Sequence, residues 1–272
     1  MITHIPHLGG YYKDHVTITE LSLQSMVKNA GEGLVFDVMV FDQDSCVEWK
    51  QRLASFQDAG YIDNVYFSGN NIGKLPALHK IMGMVDSDIL AYTDDDVLFY
   101  PNWLAEAVLV LDTFPASLVT GSPILTRFKW YEKQRERFEN DSDYEVKELH
   151  WKAYPADWLE DDALGRGIAL QDYIKIIKNA TEGEIRPIQI HNGELGVWGV
   201  GHHMQFSATR RDVQQHLPVA GKELMGVMRE WDVAMDLAGL TQVATLERTT
   251  RHMGNVMDNS IVQDAIDMEL VI

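Results

Sequence analysis

Asp88-Ile89-Leu90-Ala91-Tyr92-Thr93-Asp94-Asp95-Asp96-Val97-Leu98 is the stretch on which the fold turns. Residues 89 to 93 are apolar, aromatic or β-branched, so they read as a strand, and that strand runs straight into three carboxylates. Such neighbours repel. Unit charges about 4 Å apart cost roughly 1 kcal/mol in water and about 4 kcal/mol at an effective dielectric of 20. The cluster persists if water bathes it, if one carboxyl takes a proton, or if a hard cation sits among the oxygens. Alternate residues at a strand end turn two carboxylates toward one point, which makes Asp94 and Asp96 the pair suited to share Mg²⁺ or Mn²⁺. A solvated acidic turn ahead of the N-cap-like Asn102 is the other reading of the same residues.

Upstream, short β-like runs alternate with helical patterns. Ile2 to Ile5 leads into the turn His7-Leu8-Gly9-Gly10, and Val16, Leu23 and Val27 share a helical stripe ending near Asn29 to Gly31. Val35 to Phe41 is an apolar run broken only by Asp37, and it stops at Asp42-Gln43-Asp44-Ser45. Trp49, Leu53 and Phe56 follow at helical spacing with Gly60 as a stop. Val65 to Phe67 reads as a strand, and Leu75, Leu78, Met82 and Val85 mark a helix. This alternation predicts an α/β fold built on a mostly parallel sheet with helices on both faces. Ligands of open parallel sheets sit beyond the carboxyl ends of the strands, so Asp42/Asp44 and Asp94 to Asp96 are expected on one rim.

The second half is less regular. Helical periods occur near Trp130 to Phe138 and Leu170 to Ile177; Val197 to Ala208 is strand-like, and a short helix follows from Arg211 to His216. Glu230 to Ala238 reads as a helix ended by Gly239, then comes the strand Val243 to Leu246 and an acidic amphipathic segment from Val256 to Ile272. No linker rich in Pro, Gly or Ser divides the chain. The expectation is one domain over residues 1–255, made of halves 1–125 and 126–255, with a C-terminal tail at 256–272.

The 272 residues are 46% hydrophobic and carry a formal net charge of -18. The first figure supports a large core; the second repels nucleic acid and anionic lipid. Apolar runs are far too short to span a bilayer, and the first ten residues lack the basic-then-apolar pattern of a secretory signal, so a cytoplasmic location is expected. Cys46 is the sole cysteine, which excludes an intrachain disulfide and a cysteine-rich zinc site. No G-x-S-x-G elbow supports a serine hydrolase.

Gly69-Asn70-Asn71-Ile72-Gly73-Lys74, the helix after it, the strand ending in Asp94-Asp95-Asp96, and Pro101-Asn102-Trp103-Leu104 together resemble the family 2 glycosyltransferases. In that family an N-x-G loop and helix precede a strand ending in D-x-D, and a P-x-W/F-L helix start follows. Val38 to Ser45 resembles the family's VVDDGS strand end, with Asp-Gln-Asp-Ser in place of Asp-Asp-Gly-Ser. Glu230-Trp231-Asp232 with Gly239 resembles its "ED…G" helix, and Arg251-His252-Met253-Gly254-Asn255 its closing H-x-G-N.

The resemblance implies a GT-A fold with a smaller acceptor-side mixed sheet, and an enzyme that moves a sugar from a UDP- or GDP-sugar to an acceptor hydroxyl. It implies that Asp42 or Asp44 meets the base or ribose, that Asp94 and Asp96 hold ribose and metal, and that His252 completes the metal shell. A lone histidine is otherwise a surface or core residue. Lys74, Arg210 and Arg211 would face phosphate, although a solvated lysine is an equal reading of Lys74. A divalent ion would also reverse the local sign of a strongly acidic protein toward an anionic donor. Asp232, or else Glu230, would be the helix carboxylate that takes the acceptor proton with inversion. A two-residue offset turns helix side chains apart, so only one of them faces the site, and a helix-start acid complementing the dipole is the alternative for both. The aromatics from Trp130 to Trp158, with Trp198, would stack on a saccharide acceptor or fill a core. Two rivals share the fold: a sugar-phosphate nucleotidyltransferase, which needs an arginine where this chain has Pro6 to Gly10, and a non-catalytic nucleotide-sugar or carbohydrate-binding protein.

Overall fold

Parallel strands need crossovers of a dozen or more residues, and the first hundred residues supply them. β1 (Ile2–Thr3), β2 (Met39–Gln43) and β3 (Asn64–Ser68) pair in parallel in the order β1-β2-β3. Helices α1 (His15–Lys28) and α2 (Val47–Asp58) connect them, and α3 (Lys74–Met84) leads from β3 to β4 (Ile89–Thr93). The computed structural model describes residues 1–125, 132–180, 187–217 and 228–271, with the side chains at 132, 180 and 228–230 outside that description. β2 begins at Met39 rather than Val35. Val35 is 100% exposed while Leu34 and Phe36 pack against the core, and the Val38 N–H donates to the Asp63 carboxylate at 2.7 Å just before the strand begins.

The larger sheet is mixed. It joins β4 to β6 (Leu118–Thr120), β7 (Glu145–Glu148), β8 (Ile188–Asn192), β9 (Leu195–Trp198), β10 (Gln205–Thr209) and β11 (Gln242–Thr245) in the order β4-β10-β6-β11-β9-β8-β7. Only β6 and β11 run parallel within it. The run Val197 to Ala208 therefore splits: β9 forms a hairpin with β8, whereas β10 lies between β4 and β6. A separate antiparallel ribbon joins β5 (Val97–Phe99) to β12 (Thr250–His252), with His252 opposite Val97.

The remaining helices are α4 (Trp103–Thr113), α5 (Glu132–Glu139), α6 (Ala156–Gly165), α7 (Leu170–Ala180), α8 (Arg210–His216), α9 (Met228–Leu237) and α10 (Asn259–Asp267). Among the described residues, no helix is long and apolar enough to cross a membrane. Three buried aromatics tie the sheet to α9: the Tyr92 and Phe206 ring centroids are 5.3 Å apart, and those of Phe206 and Trp231 are 5.2 Å apart.

The segment expected as a tail is part of the core. Asp258 caps α10 by accepting from the Ser260 and Ile261 N–H groups, and Ile261 and Ala265 are buried with Ile18, Leu21, Leu98 and Met253. Replacing Ile261 by Ala should lower the unfolding free energy by about 2–5 kcal/mol. Urea denaturation reads this directly, and a change below about 0.5 kcal/mol, the range of an ordinary surface substitution, would detach α10 from the core.

Candidate functional site

The loop between β4 and β5 carries Asp94, Asp95 and Asp96, and each carboxylate has a partner from a different part of the chain. Lys74 Nζ lies 2.6 Å from Asp94 Oδ2, and the Tyr92 hydroxyl donates to Asp94 Oδ1. His15 Nε2 is 3.2 Å from Asp95 Oδ2, and His252 Nε2 is 3.0 Å from Asp96 Oδ2. Water, a proton or a metal ion were the means expected to hold the triplet together; the protein's own basic side chains are a fourth. Lys74 opens α3 immediately after Gly73, whose φ of 87° suits glycine. A cation at a helix N-terminus opposes the helix dipole, and Asp94 offsets that cost. His252 arrives through the β5–β12 ribbon, whose register continues as the Met253 N–H donates to the Asp96 carbonyl at 2.7 Å.

The ionisation of these groups follows from burial set against their partners. Burial pushes the Asp94 carboxyl up, Lys74 opposes this, Asp96 adds to it, and the net direction is up. Burial works the same way on Asp96, but His252, His15 and Lys74 outweigh it and hold Asp96 below the usual carboxylate range. Burial alone would lower His252 and His15; Asp96 raises the first and Asp95 the second above the ordinary imidazole value.

On the other side of the loop, β10 fixes the neighbouring backbone. Gln205 pairs with Thr93, and the Asp94 N–H donates to the Met204 carbonyl at 2.8 Å. His203, one residue earlier, places Nδ1 3.2 Å from Asp232 Oδ2. Asp232 is on α9 beside the buried Trp231, and its carbonyl accepts from Gln242 Nε2 at 2.9 Å. His203 falls within the strand-like run Val197 to Ala208, and no spacing in the sequence links it to Asp232. The Glu230 side chain lies outside the described residues.

Other expected residues are arranged differently. Asp42 is buried; its oxygens accept from the Thr3 hydroxyl at 3.1 Å and the Ser45 N–H at 3.2 Å, closing the turn after β2. Asp44 is exposed at φ 57°, 3.6 Å from Lys50. Gln43 between them ties this turn to the loop before α3, accepting from the Ile72 N–H at 3.0 Å. Arg210 and Arg211 do not reach the acidic loop. β10 is antiparallel to β4, so Thr209 pairs with Ile89 and the arginines fall at the opposite end of the strand, roughly 17 Å away at 3.3–3.4 Å per residue. Arg210 there meets Asp86 at 3.1 Å, and Arg211 meets Asp212 at 3.4 Å. Among the described residues, Lys74 meets the acidic loop beside His15 and His252. Trp198 and Tyr154 fill a core, and Trp130 and Tyr131 lie outside the described residues.

The donor set suits a small hard cation in part. Asp96 Oδ1 and His252 Nδ1 are buried without a hydrogen bond among the described residues, and Asp96 and His252 face one another with oxygen and nitrogen donors. Asp94 has both oxygens engaged by Lys74 and Tyr92. Among the described residues, no three His, Cys, Asp or Glu side chains converge on one point. Two protein ligands completed by water and phosphate oxygens is the habit of Mg²⁺ and is open to Mn²⁺.

The family model described as glycosyl transferase family 2 matches residues 17–163, more than half of the chain. The chain belongs to glycosyltransferase family 2. The matched span holds the acidic loop and Lys74, while Asp232 and His252 lie beyond it. No curated protein matches the chain at a significant level. Among solved structures, residues 1–349 of TarS from S. aureus with UDP-GlcNAc align at TM-score 0.53 and 9% identity, covering 98% of this chain and 64% of that one. TarS 1–349 without this ligand aligns at TM-score 0.50 and 10% identity, covering 93% and 60%. Identities this low show a common fold, the GT-A architecture of family 2. The chain spans less than two thirds of the TarS segment.

Asp162 is a buried carboxylate of α6 that nothing in the sequence singles out. It lies three residues before Gly165, where a Cβ would come within 2.8 Å of His252 Nδ1. The end of α6 thus rests against His252. Burial pushes the Asp162 carboxyl up to about 6, against the pull of Arg248, Arg166 and His252. With the folded value above the unfolded one, the native state holds a proton that the unfolded chain releases, so Asp162 subtracts stability as pH rises from about 4 to about 6. Asp162→Asn should therefore be more stable than the parent at pH 7, by on the order of 2–3 kcal/mol, with the gain vanishing near pH 4. Urea midpoints at the two pH values decide it; an equal gap at both would show that Asp162 does not titrate with folding.

Proposed function

We propose that this family 2 chain transfers a sugar from a nucleoside-diphosphate sugar to an acceptor hydroxyl, with inversion at the anomeric carbon and with Mn²⁺ or Mg²⁺ at Asp96 and His252. The observation that carries the reading is the meeting of Asp96 and His252 at 3.0 Å, beside Lys74 on Asp94 at 2.6 Å. It gathers metal donors and a phosphate-seeking cation at the end of β4, where an anionic ligand of this fold would lie. Residues 1–125 would serve the donor and residues 126–255 the acceptor.

Lys74 would turn from Asp94 to the diphosphate as the donor enters, freeing Asp94 for the ribose. Asp44, with its exposed carboxylate, is better placed than Asp42 to meet the base or ribose. A bound divalent ion supplies Lewis-acid stabilisation of the leaving diphosphate. Asp232 would be the helix carboxylate that takes the acceptor proton.

The shared fold with TarS, which was solved with UDP-GlcNAc, makes UDP-GlcNAc the first donor to test, ahead of GDP- and dTDP-sugars in a thermal-shift screen with and without Mn²⁺. Asp96→Ala should keep its circular dichroism and lose Mn²⁺-dependent donor affinity by at least tenfold, about 1.4 kcal/mol; an unchanged calorimetric titration would remove Asp96 from the site. Asp232→Asn should bind donor as the parent does, while nucleoside diphosphate release falls by about 10²–10⁴. Full turnover in that variant would move the base elsewhere.

A further inference from the structure

We infer that Tyr92 is a positioning residue for Asp94: it fixes one carboxylate oxygen, so that the other is presented to the donor's ribose when Lys74 departs. This rests on the transferase reading above and adds a residue to its donor side. Asp94 and Asp96 are not equivalent. Asp96 Oδ1 is buried without a hydrogen bond among the described residues. Both oxygens of Asp94 are engaged, Oδ1 by the Tyr92 hydroxyl and Oδ2 by Lys74 Nζ at 2.6 Å.

The two partners of Asp94 differ in their freedom to leave. Lys74 is an ammonium on a flexible four-carbon stem, and rotation about that stem carries it from one anion to another. Its Nζ also lies 5.4 Å from the centre of the Tyr92 ring, a cation–π contact that a phosphate oxygen can replace. Tyr92 has no such freedom. It is 2% exposed, pairs with Phe206 across β4 and β10, and has its ring 5.3 Å from that of Phe206. Phe206 in turn packs on Trp231, and all three belong to one apolar cluster.

The contact is local in origin. Residues two apart in an extended chain share a face, so a tyrosine at 92 reaches the carboxylate at 94 directly. The Asp94 backbone is held as well, its N–H donating to the Met204 carbonyl at 2.8 Å. With the backbone fixed by β10 and Oδ1 by the phenol, Oδ2 is the oxygen open to exchange. A carboxylate accepts and a hydroxyl donates, so a ribose hydroxyl takes the place on Oδ2 that Lys74 leaves for the diphosphate. Each oxygen of Asp94 then keeps a donor before and after the exchange. Without the Tyr92 hydroxyl, the departure of Lys74 leaves the carboxylate free to turn, and the ribose loses a fixed acceptor.

The test is calorimetry on the full chain with Mg²⁺, comparing UDP with 2′,3′-dideoxy-UDP and, in parallel, GDP with its dideoxy analogue. The parent should bind the complete nucleotide more tightly than the analogue lacking both ribose hydroxyls. Tyr92→Phe, which keeps the ring, should weaken the complete nucleotide about tenfold and leave the dideoxy nucleotide within about twofold of the parent. In an Asp94→Ala background the same tyrosine change should add less than about twofold. A tyrosine needed only for packing would weaken both nucleotides alike. An equal fall for the two, no fall for the complete nucleotide, or an undiminished effect in the Asp94→Ala background overturns the role of Tyr92 and leaves the transferase reading standing. A parent chain that binds the dideoxy nucleotide as tightly as the complete one overturns it without any variant. Failure of the parent to bind any of the four nucleotides overturns both readings.

Discussion

Three adjacent carboxylates at one strand end repel one another, and the structure around them is arranged to relieve that repulsion. Asp94 is met from α3 by Lys74, Asp95 from α1 by His15, and Asp96 from β12 by His252. Two of these partners come from the first third of the chain and the third from near its end. At an effective dielectric of 20 a close pair of like charges costs about 4 kcal/mol, comparable to a large part of the net stability of a domain. Neutralising the loop and assembling the site are the same event.

The scaffold holds those partners in place by other means. Arg251, 2% exposed, precedes His252 and contacts Asp161 at 2.9 Å and Asp264 at 2.7 Å, so β12 is fastened to both α6 and α10. Arg248 meets the other oxygen of Asp161 at 2.7 Å. Buried ion pairs add little net stability against apolar packing, but breaking one leaves an uncompensated charge, so they resist rearrangement. Across the loop, the stack of Tyr92, Phe206 and Trp231 does the same for Asp232 with apolar surface. One flank of the site is pinned by charge and the other by aromatic rings.

What the sequence disclosed follows from the range of its signals. β4 could be read to its last residue because an apolar run ended on charge, and α2 because Trp49 and Leu53 recur at helical spacing and both are buried. The meeting of Asp96 with His252 came from resemblance alone, since three-residue strands such as β5 and β12 have no periodicity to detect. The pairing of His203 with Asp232 left no trace in the sequence, because it depends on where α9 docks on β10. Arg210 and Arg211 misled for a related reason: a pair of arginines states its charge but not its strand direction, and antiparallel β10 carries them to the far end of β4.

The distance in sequence between the acidic loop and its last partner has a consequence for how the protein is made. Synthesis proceeds from the N-terminus, and domains begin to fold as they emerge. Asp94 to Asp96 leave the ribosome with Lys74 and His15 already made, but β12 follows only after the whole mixed sheet has been translated. Until then Asp96 lacks the His252 imidazole and β5 lacks its partner strand. In the nascent first half β4 and β6 wait for β10 and β5 waits for β12, and the last of these gaps is closed together with the pairing of Asp96 by the same three residues, Thr250 to His252.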